Sequence, residues 1–536
     1  MFMPMVFPGA GTSNPFEYTY TRRLVFTRRF GLTDSFNDVV LEIEETLNSF
    51  KQVASGGRIE HADAWDLVLE NASGTRLDHW IMSYNGTTGY IRIRFRLPSF
   101  SLAVNTDVLV RYGKTGVTTS PEKISSVFNR ALAAIRPDTG EDMSGNGYDF
   151  TPSGGPSSGT LVGGPAVTLT AAQRLTTTDS GLLNGLSEFS VELWLDPTSG
   201  PPFDARILDS TSGNFRLYGV PEADDGTDNI YGVFVMTTSG LVFWKGPANI
   251  QTGALQHILF TWKSGEGISF YHNGELQSPS SEQRADATGT VQLGSDVFVI
   301  GKHAATGNQS LAATYGRVYF WERALPPRFV ELLYRNQNDP GDTYGFGDEE
   351  LSADFSTQSV VAPPIFLEIE KEVATDIDLL DYIHVPAAQD DPTVAITDDA
   401  DNGDTDLDGL IINYEGDVGF DGDDVIEYQL TGANGKQSDS FIYISIVDRI
   451  VSGNTMHFGP RYEDNWTKQA FGSGAILTQE TASAVLQAGT VANAEAATVL
   501  WNRWQRGGSG WSVSFKVTRT DNWENDDASG GGIFAL

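Results

Sequence analysis

The alternation of apolar side chains between Ser187 and Tyr334 restricts this chain more than any other feature of its sequence. Phe189, Val191, Leu193 and Leu195 fall at every second position of one run, which places them on one face of a pleated strand. Leu255 to Trp262 and Gly267 to Leu276 repeat the pattern, and the second contains Asn273-Gly274, a pair that accepts positive φ at both centres of a tight hairpin. The strand pattern returns at Val297 to Gly301 and at Tyr315 to Trp321, before a short helical turn from Phe329 to Tyr334. Short strands between regular turns, with almost no helix, predict an all-β fold built on a two-sheet sandwich.

At 536 residues the chain exceeds what one core supports and should divide into roughly three to five domains. The 57 glycines and 23 prolines suit a loop-rich β protein. Seventy acidic against 35 basic side chains give a net charge of −35, which repels polyanions and argues against nucleic acid as a partner. Cysteine is absent, so disulfides, thiolate chemistry and the usual structural zinc ligands are excluded. The segment Met1 to Pro8 lacks a basic lead and is interrupted by two prolines, so it does not read as a signal peptide. Arg22-Arg23 is followed by Asp34, Asp38, Glu42 and Glu44 instead of the apolar run of a twin-arginine signal. No window approaches eighteen apolar residues, so no membrane insertion is expected.

The order of the runs "FSVELW", "HILFTW", "ISFYHNGEL", "VIGK" and "YGRVYFWERAL" closely resembles the laminin G-like, concanavalin A-like jelly rolls over Leu132 to Arg335. The resemblance implies a lectin-type sandwich that binds glycans or proteins, in some relatives through calcium, while other relatives are glycosidases. Upstream, Asp63 to Leu69, Leu77-Asp78-His79-Trp80, Arg94 to Pro98 and Val108 to Gly113 resemble the uncharacterised β domain that precedes laminin G-like domains in bacterial surface and phage-encoded proteins. Within it Ile91 to Leu97 alternates apolar residues with Arg92, Arg94 and Arg96. That strip reads as the solvated face of a half-buried strand, its arginines paired with carboxylates; the alternative is an anion-binding strip. Asp78 and His79 suggest acid/base chemistry, but a histidine beside tryptophan is more often a packed structural residue.

Downstream, Gly419 to Tyr428 and Phe441 to Ile446 resemble bacterial cadherin-like, immunoglobulin-type modules, which mostly act as spacers. The chain therefore divides into an N-terminal arm (1–15), a β-sandwich domain (16–130), the jelly roll (131–345), a linker (346–362), a cadherin-like or Ig-type module (363–450) and a last segment (451–536). The arm is frayed or laid against a neighbouring subunit. In the last segment Trp511 to Phe515 and Gly532 to Leu536 echo Phe189 to Leu193 and Arg206 to Asp209. It reads as the opening half of a second jelly roll, completed by chain beyond Leu536 or by another polypeptide. Trp466, Trp501, Trp504, Trp511 and Trp523 crowd this segment; indoles stack on sugars, but core positions are the commoner use.

Asp404, Asp406 and Asp408, then Gly409 and Glu415, match the spacing of an EF-hand calcium loop, with Ile411 at its apolar position. The flanks read as strands instead of helices, so a solvated acidic turn competes with calcium there. For catalysis, Glu192 and Asp196 on one strand come nearest to the paired carboxylates of a retaining glycosidase, without a third. No H-E-x-x-H or phosphate loop occurs. The expectation is a non-enzymatic structural and adhesion protein on a virion surface: a bacteriophage fibre, tail-tip or decoration component. Its partners would be a host-surface glycan or protein, other virion proteins and further copies of itself. A bacterial cell-surface adhesin exported by a C-terminal signal is the first alternative and a glycan hydrolase the second.

Overall fold

The computed structural model describes residues 17–27, 32, 34–177, 179–197, 205–221, 229–247, 253–279, 288–304, 309–352 and 359–447, and four strands beyond them. It is all-β, with tandem sandwiches. Two compact units divide the chain, 1–446 and 447–536.

The central jelly roll places an eight-stranded sheet against a seven-stranded one. In the first, Glu188–Pro197 lies between Gln256–Lys263 and Ala313–Trp321, with Phe189 opposite Trp262, Val191 opposite Phe260 and Leu193 opposite Ile258. The second runs in the order Gly240–Lys245, Asn229–Thr237, Phe215–Pro221, Ala205–Ser210, Phe298–Ile300, Arg174–Thr177, Phe150–Ser153. The alternating residues of both sheets meet in one cluster that includes Val191, Leu193, Phe260, Phe215, Leu217, Val233 and Val235. Each such side chain contributes about 1.5–3 kcal/mol on full burial. The Asn-Gly hairpin forms as its residues dictate, with Asn273 at φ 51° and Gly274 at φ 79°. A Cβ on Gly274 would lie 2.8 Å from the Tyr334 ring, so the turn also admits close packing from beyond the sheet. The strand Ser157–Leu161 forms one edge of the eight-stranded sheet. One element differs from expectation. The helical turn at Phe329 extends to a full helix, Pro327–Asn338, with proline in its first turn.

The N-terminal sandwich pairs a five-stranded sheet with the three-stranded sheet Ser35–Thr46, Tyr90–Ser101, His79–Asn85. Its last strands come from beyond the jelly roll. Leu24, Val25 and Phe26 pair with Phe346, Gly345 and Tyr344, and Tyr20 and Thr21 with Leu351 and Glu350. The jelly roll is thus inserted between the strands of another sandwich, and much of the expected linker 346–362 is structural: Phe346, Glu350 and Leu351 close the first sandwich, while Val360 and Ala362 enter the next core.

That next sandwich spans 360–447, with a four-stranded sheet (Ile365–Glu370, Gln437–Val447, Gly422–Thr431, Thr393–Asp398) over a three-stranded one (Thr375–Asp378, Ile411–Gly416, Gly403–Asp408). Ile365, Ile412, Tyr414, Ile426, Tyr428 and Ile442 fill its core. In the second unit Trp466–Phe471 pairs with Ala496–Trp501, and Ile476–Glu480 with Ser483–Gln487. The N-terminal arm, Trp504, Trp511, Trp523 and the echo at Gly532 to Leu536 lie outside the described residues.

Candidate functional site

The jelly roll has two outward faces, and they differ. On the eight-stranded sheet, the residues between the core positions point at the three-stranded sheet of the N-terminal sandwich and at the helix. Leu259, Tyr271, Tyr319 and Trp321 from the jelly roll share a cluster with Val39, Ile93, Phe329 and Leu333. The arginine strip lies inside this contact. Arg92 and Arg94 are buried, correcting the solvated face expected from alternation, while the expected pairing with carboxylates is present. Glu42 accepts from Arg92 Nε at 2.7 Å, Arg94 Nε at 2.8 Å and Arg317 Nη2 at 2.9 Å. Burial alone would raise the Glu42 carboxyl, but the Arg317, Arg94 and Arg92 guanidinium groups bring it down to about 2. Arg96, nearer the rim, reaches Asp38 at 2.6 Å and Asp78 at 2.8 Å.

Glu192 belongs to the same sealed layer. Its Oε1 accepts from Gln337 Nε2 at 2.6 Å and lies 3.4 Å from His257 Nε2, and no part of it reaches solvent. Trp194 donates Nε1–H to Gln337 at 2.7 Å and stacks on Tyr334 at 5.8 Å. The helix therefore caps the strand on which a glycosidase pair was sought, and a sugar has no approach to Glu192.

The outer face of the seven-stranded sheet is half-exposed at Phe243, Phe234 and Arg216 and buried at Asp209 and Val299. Strand register sets a line of outward residues across it: Phe243 beside Phe234, then Arg216, Asp209, Val299, Thr176 and Thr151. Phe234 and Phe243 are half-buried and belong to none of the three buried clusters. The Arg216 guanidinium rests 4.9 Å from the Phe234 ring centre, within cation–π range. In the next row Arg206 lies 5.2 Å from the Tyr218 ring. That ring occupies space that a Cβ on Gly232 would take, 2.4 Å away. A β-bulge between Arg206 and Leu208 brings both Arg206 and Asp209 to this side. Asp209 is fully buried, accepts from the Ala304 backbone N–H at 2.9 Å and lies 3.6 Å from His303 Nδ1. Burial pushes its carboxyl upward, against the pull of Ala304 and the nearby cations. The half-exposed rings and the Arg216 guanidinium on a rigid sheet can stack on a flat ligand and donate to its edge, while Asp209, beside His303, is sealed beneath them.

The remaining residues singled out by sequence are placed elsewhere. His79 is buried, its Nδ1 3.2 Å from the Leu77 carbonyl, and burial pushes its pKa down to about 4. Its neighbour Asp78 serves Arg96. Asp404, Asp406 and Asp408 stand on an edge strand, Gly403–Asp408, exposed on one side, with Glu415 opposite Asp404 across a hairpin. The twelve-residue wrapped loop expected from their spacing is thus two straight strands joined at Gly409-Leu410. Asp404 and Asp408 are separated by four strand steps, about 13 Å, so the carboxylates do not converge as an EF-hand loop makes them do. Among the described residues no group of three or more His, Asp or Glu is placed to hold a metal ion. Sequence reading missed the open sheet face. Its signal was present: Phe234 and Phe243 occupy outward positions where a solvated strand carries polar residues.

A family model for the concanavalin A-like lectin/glucanases superfamily, of the laminin G type, matches residues 169–330, the heart of the jelly roll. No curated protein matches the chain. Solved structures similar to it include domain 4 of AbnA, a GH43 extracellular arabinanase from Geobacillus stearothermophilus in complex with arabinotriose, at 18% identity and TM-score 0.30, covering 38% of this chain and 98% of that one. A heptameric SAP-like pentraxin from Limulus polyphemus has 16% identity and TM-score 0.23, covering 30% of this chain and 73% of that one. The receptor binding domain of botulinum neurotoxin mosaic serotype C/D has 10% identity and TM-score 0.29, covering 59% and 73%.

Proposed function

We propose that this is a non-enzymatic binding protein that presents the open face of its seven-stranded sheet to a glycan or protein on a cell surface. One contrast carries the reading. The strand that would have to bear catalytic acids faces a sealed interior, where Glu192 has no exposure, whereas Phe234, Phe243 and Arg216 stand half-exposed on the opposite sheet. Aromatic side chains set on a rigid sheet lose little freedom on binding, which suits them to recognition. The flanking sandwiches act as spacers and supports. For the setting we propose a bacteriophage virion component, a fibre, tail-tip or decoration protein acting as a homo-oligomer. That choice rests on the resemblance of the first and third domains to modules of phage-encoded and bacterial surface proteins, and a bacterial adhesin uses the same modules.

The test is a glycan array and a whole-cell binding assay with the full chain and with a Phe234→Ala/Phe243→Ala variant. The expected result is saturable binding that the double variant loses while keeping its thermal midpoint. Release of reducing ends from a bound polysaccharide would overturn the non-enzymatic reading. Binding unaffected by the two substitutions would place the ligand elsewhere.

A further inference from the structure

We propose that the ligand of the open sheet face is an acidic polysaccharide, whose carboxylate or sulfate groups are received by Arg216 and Arg174; this rests on that face being the ligand surface. The observation is a departure from how the chain treats the paired arginines of its N-terminal sandwich. Acids outnumber bases two to one, and the arginines of the N-terminal sandwich sit on carboxylates: Arg92 and Arg94 on Glu42, Arg111 on Glu70, Arg96 and Arg130 on Asp38. On the open face the pattern stops. Arg216 has no ion pair and no hydrogen-bond acceptor among the described residues, and its Nε–H is shielded from solvent without a partner. Asp209 lies directly across the strand from it, yet turns its carboxylate to Ala304 and His303. Arg174 is on the same side, since Leu175 and Thr177 on its strand face the core, and it too is without a described partner.

A half-exposed guanidinium without a carboxylate of its own can take an anionic group from outside the chain. Phe234 supports the Arg216 guanidinium from one side, and a planar fork of donors matches carboxylate or sulfate oxygens. Three strand spacings and two residues along the strand separate Arg216 from Arg174, about 15 Å. A single sugar does not span that distance, so the ligand is a chain with repeated negative groups. Nucleic acid has such groups too, but a protein of net charge −35 repels so dense a polyanion. A sparsely charged polysaccharide held at two fixed cations escapes most of that repulsion.

The experiment titrates the full chain with polygalacturonate, dextran sulfate, neutral dextran and single-stranded DNA at low and high salt. The expected result is binding of polygalacturonate or dextran sulfate, whichever matches the natural acid, weakened by salt and absent for dextran and DNA. Arg216→Gln should weaken it about ten- to a hundredfold, the worth of a charge-assisted hydrogen bond. Arg174→Gln, at a more open position, should weaken it less, and both variants should keep the parent's thermal midpoint. Dextran or DNA binding as tightly as the acidic chains overturns the proposal, as does Arg216→Gln binding like the parent. If neutral glycans bind and lose affinity only on Phe234→Ala/Phe243→Ala, the acidic ligand is refuted and the glycan-binding face stands. If no polysaccharide binds at all, both fall.

Discussion

Replacing Glu42 by glutamine removes the one negative charge that three buried arginines share between the N-terminal sandwich and the jelly roll. Arg92, Arg94 and Arg317 donate to it at 2.7–2.9 Å, and all four side chains are buried. Two routes give the magnitude. The carboxyl is held at about 2 against an ordinary 4.5; at 1.36 kcal/mol per tenfold change in proton affinity, its ionised form contributes about 3 kcal/mol at neutral pH. Independently, removing one partner of a buried ion pair costs about 3–5 kcal/mol, because the other charge stays buried without compensation. The sign with pH follows from a depressed carboxyl: the contribution is complete above pH 4.5 and disappears as the pH falls from 4.5 towards 2. Urea unfolding of the full chain, followed by the fluorescence of the buried interface residues Trp80 and Trp321, measures both effects. Glu42→Gln should lose about 3 kcal/mol or more at pH 7 and should show a shallower loss of stability between pH 4.5 and 2 than the parent. A loss below about 1 kcal/mol, or an acid limb identical in parent and variant, would refute the buried network as the joint between the domains.

Two further perturbations test smaller features. Gly274→Ala forces a Cβ to within 2.8 Å of the Tyr334 ring at φ 79° and should cost about 2 kcal/mol or more, whereas Gly409→Ala, at φ 63° in open space, should cost about 1 kcal/mol; equal denaturation midpoints for the two would contradict the packing described. Millimolar calcium, compared with EDTA, should leave the thermal midpoint unchanged, because Asp404, Asp406 and Asp408 are strung along a strand. A saturable upward shift that Asp406→Asn abolishes would show that the hairpin rearranges into a binding loop.

The sandwiches were legible in the sequence because a period of two is a direct imprint of one buried face, as at Phe189 to Leu195, and because Asn273-Gly274 admits few other turns. The same period is ambiguous at Asp404, Asp406 and Asp408. Alternate carboxylates are what a calcium loop needs and also what the outer side of an edge strand carries, and only the flanking strands separate the two. Tyr344–Phe346 and Glu350–Leu351 were illegible for another reason. Strands of two or three residues are too short to display a period, and their partners lie more than 300 positions away. Arg92, Arg94 and Arg96 show that alternation identifies two faces of a strand without saying whether the second meets water or another sheet.

That ambiguity bears on function, because the jelly roll has two sheets with polar residues on the outside and uses them oppositely. On the eight-stranded sheet Glu42 is matched by Arg92, Arg94 and Arg317, and Glu192 Oε1 accepts from Gln337 and lies near His257, while its Oε2 has no described partner. Matching of that kind is required where polar groups are withdrawn from water, and it fixes how two sandwiches join. On the seven-stranded sheet Arg216 and Arg174 have no such partners among the described residues, and Phe234 and Phe243 are half-buried and outside the buried clusters. On the function proposed above, those donors and ring faces are what a ligand would meet. The inserted topology assists this. Because the N-terminal sandwich is closed by strands on either side of the jelly roll, the sealed sheet is anchored at both ends of the domain, and the open sheet is held facing away from that anchor.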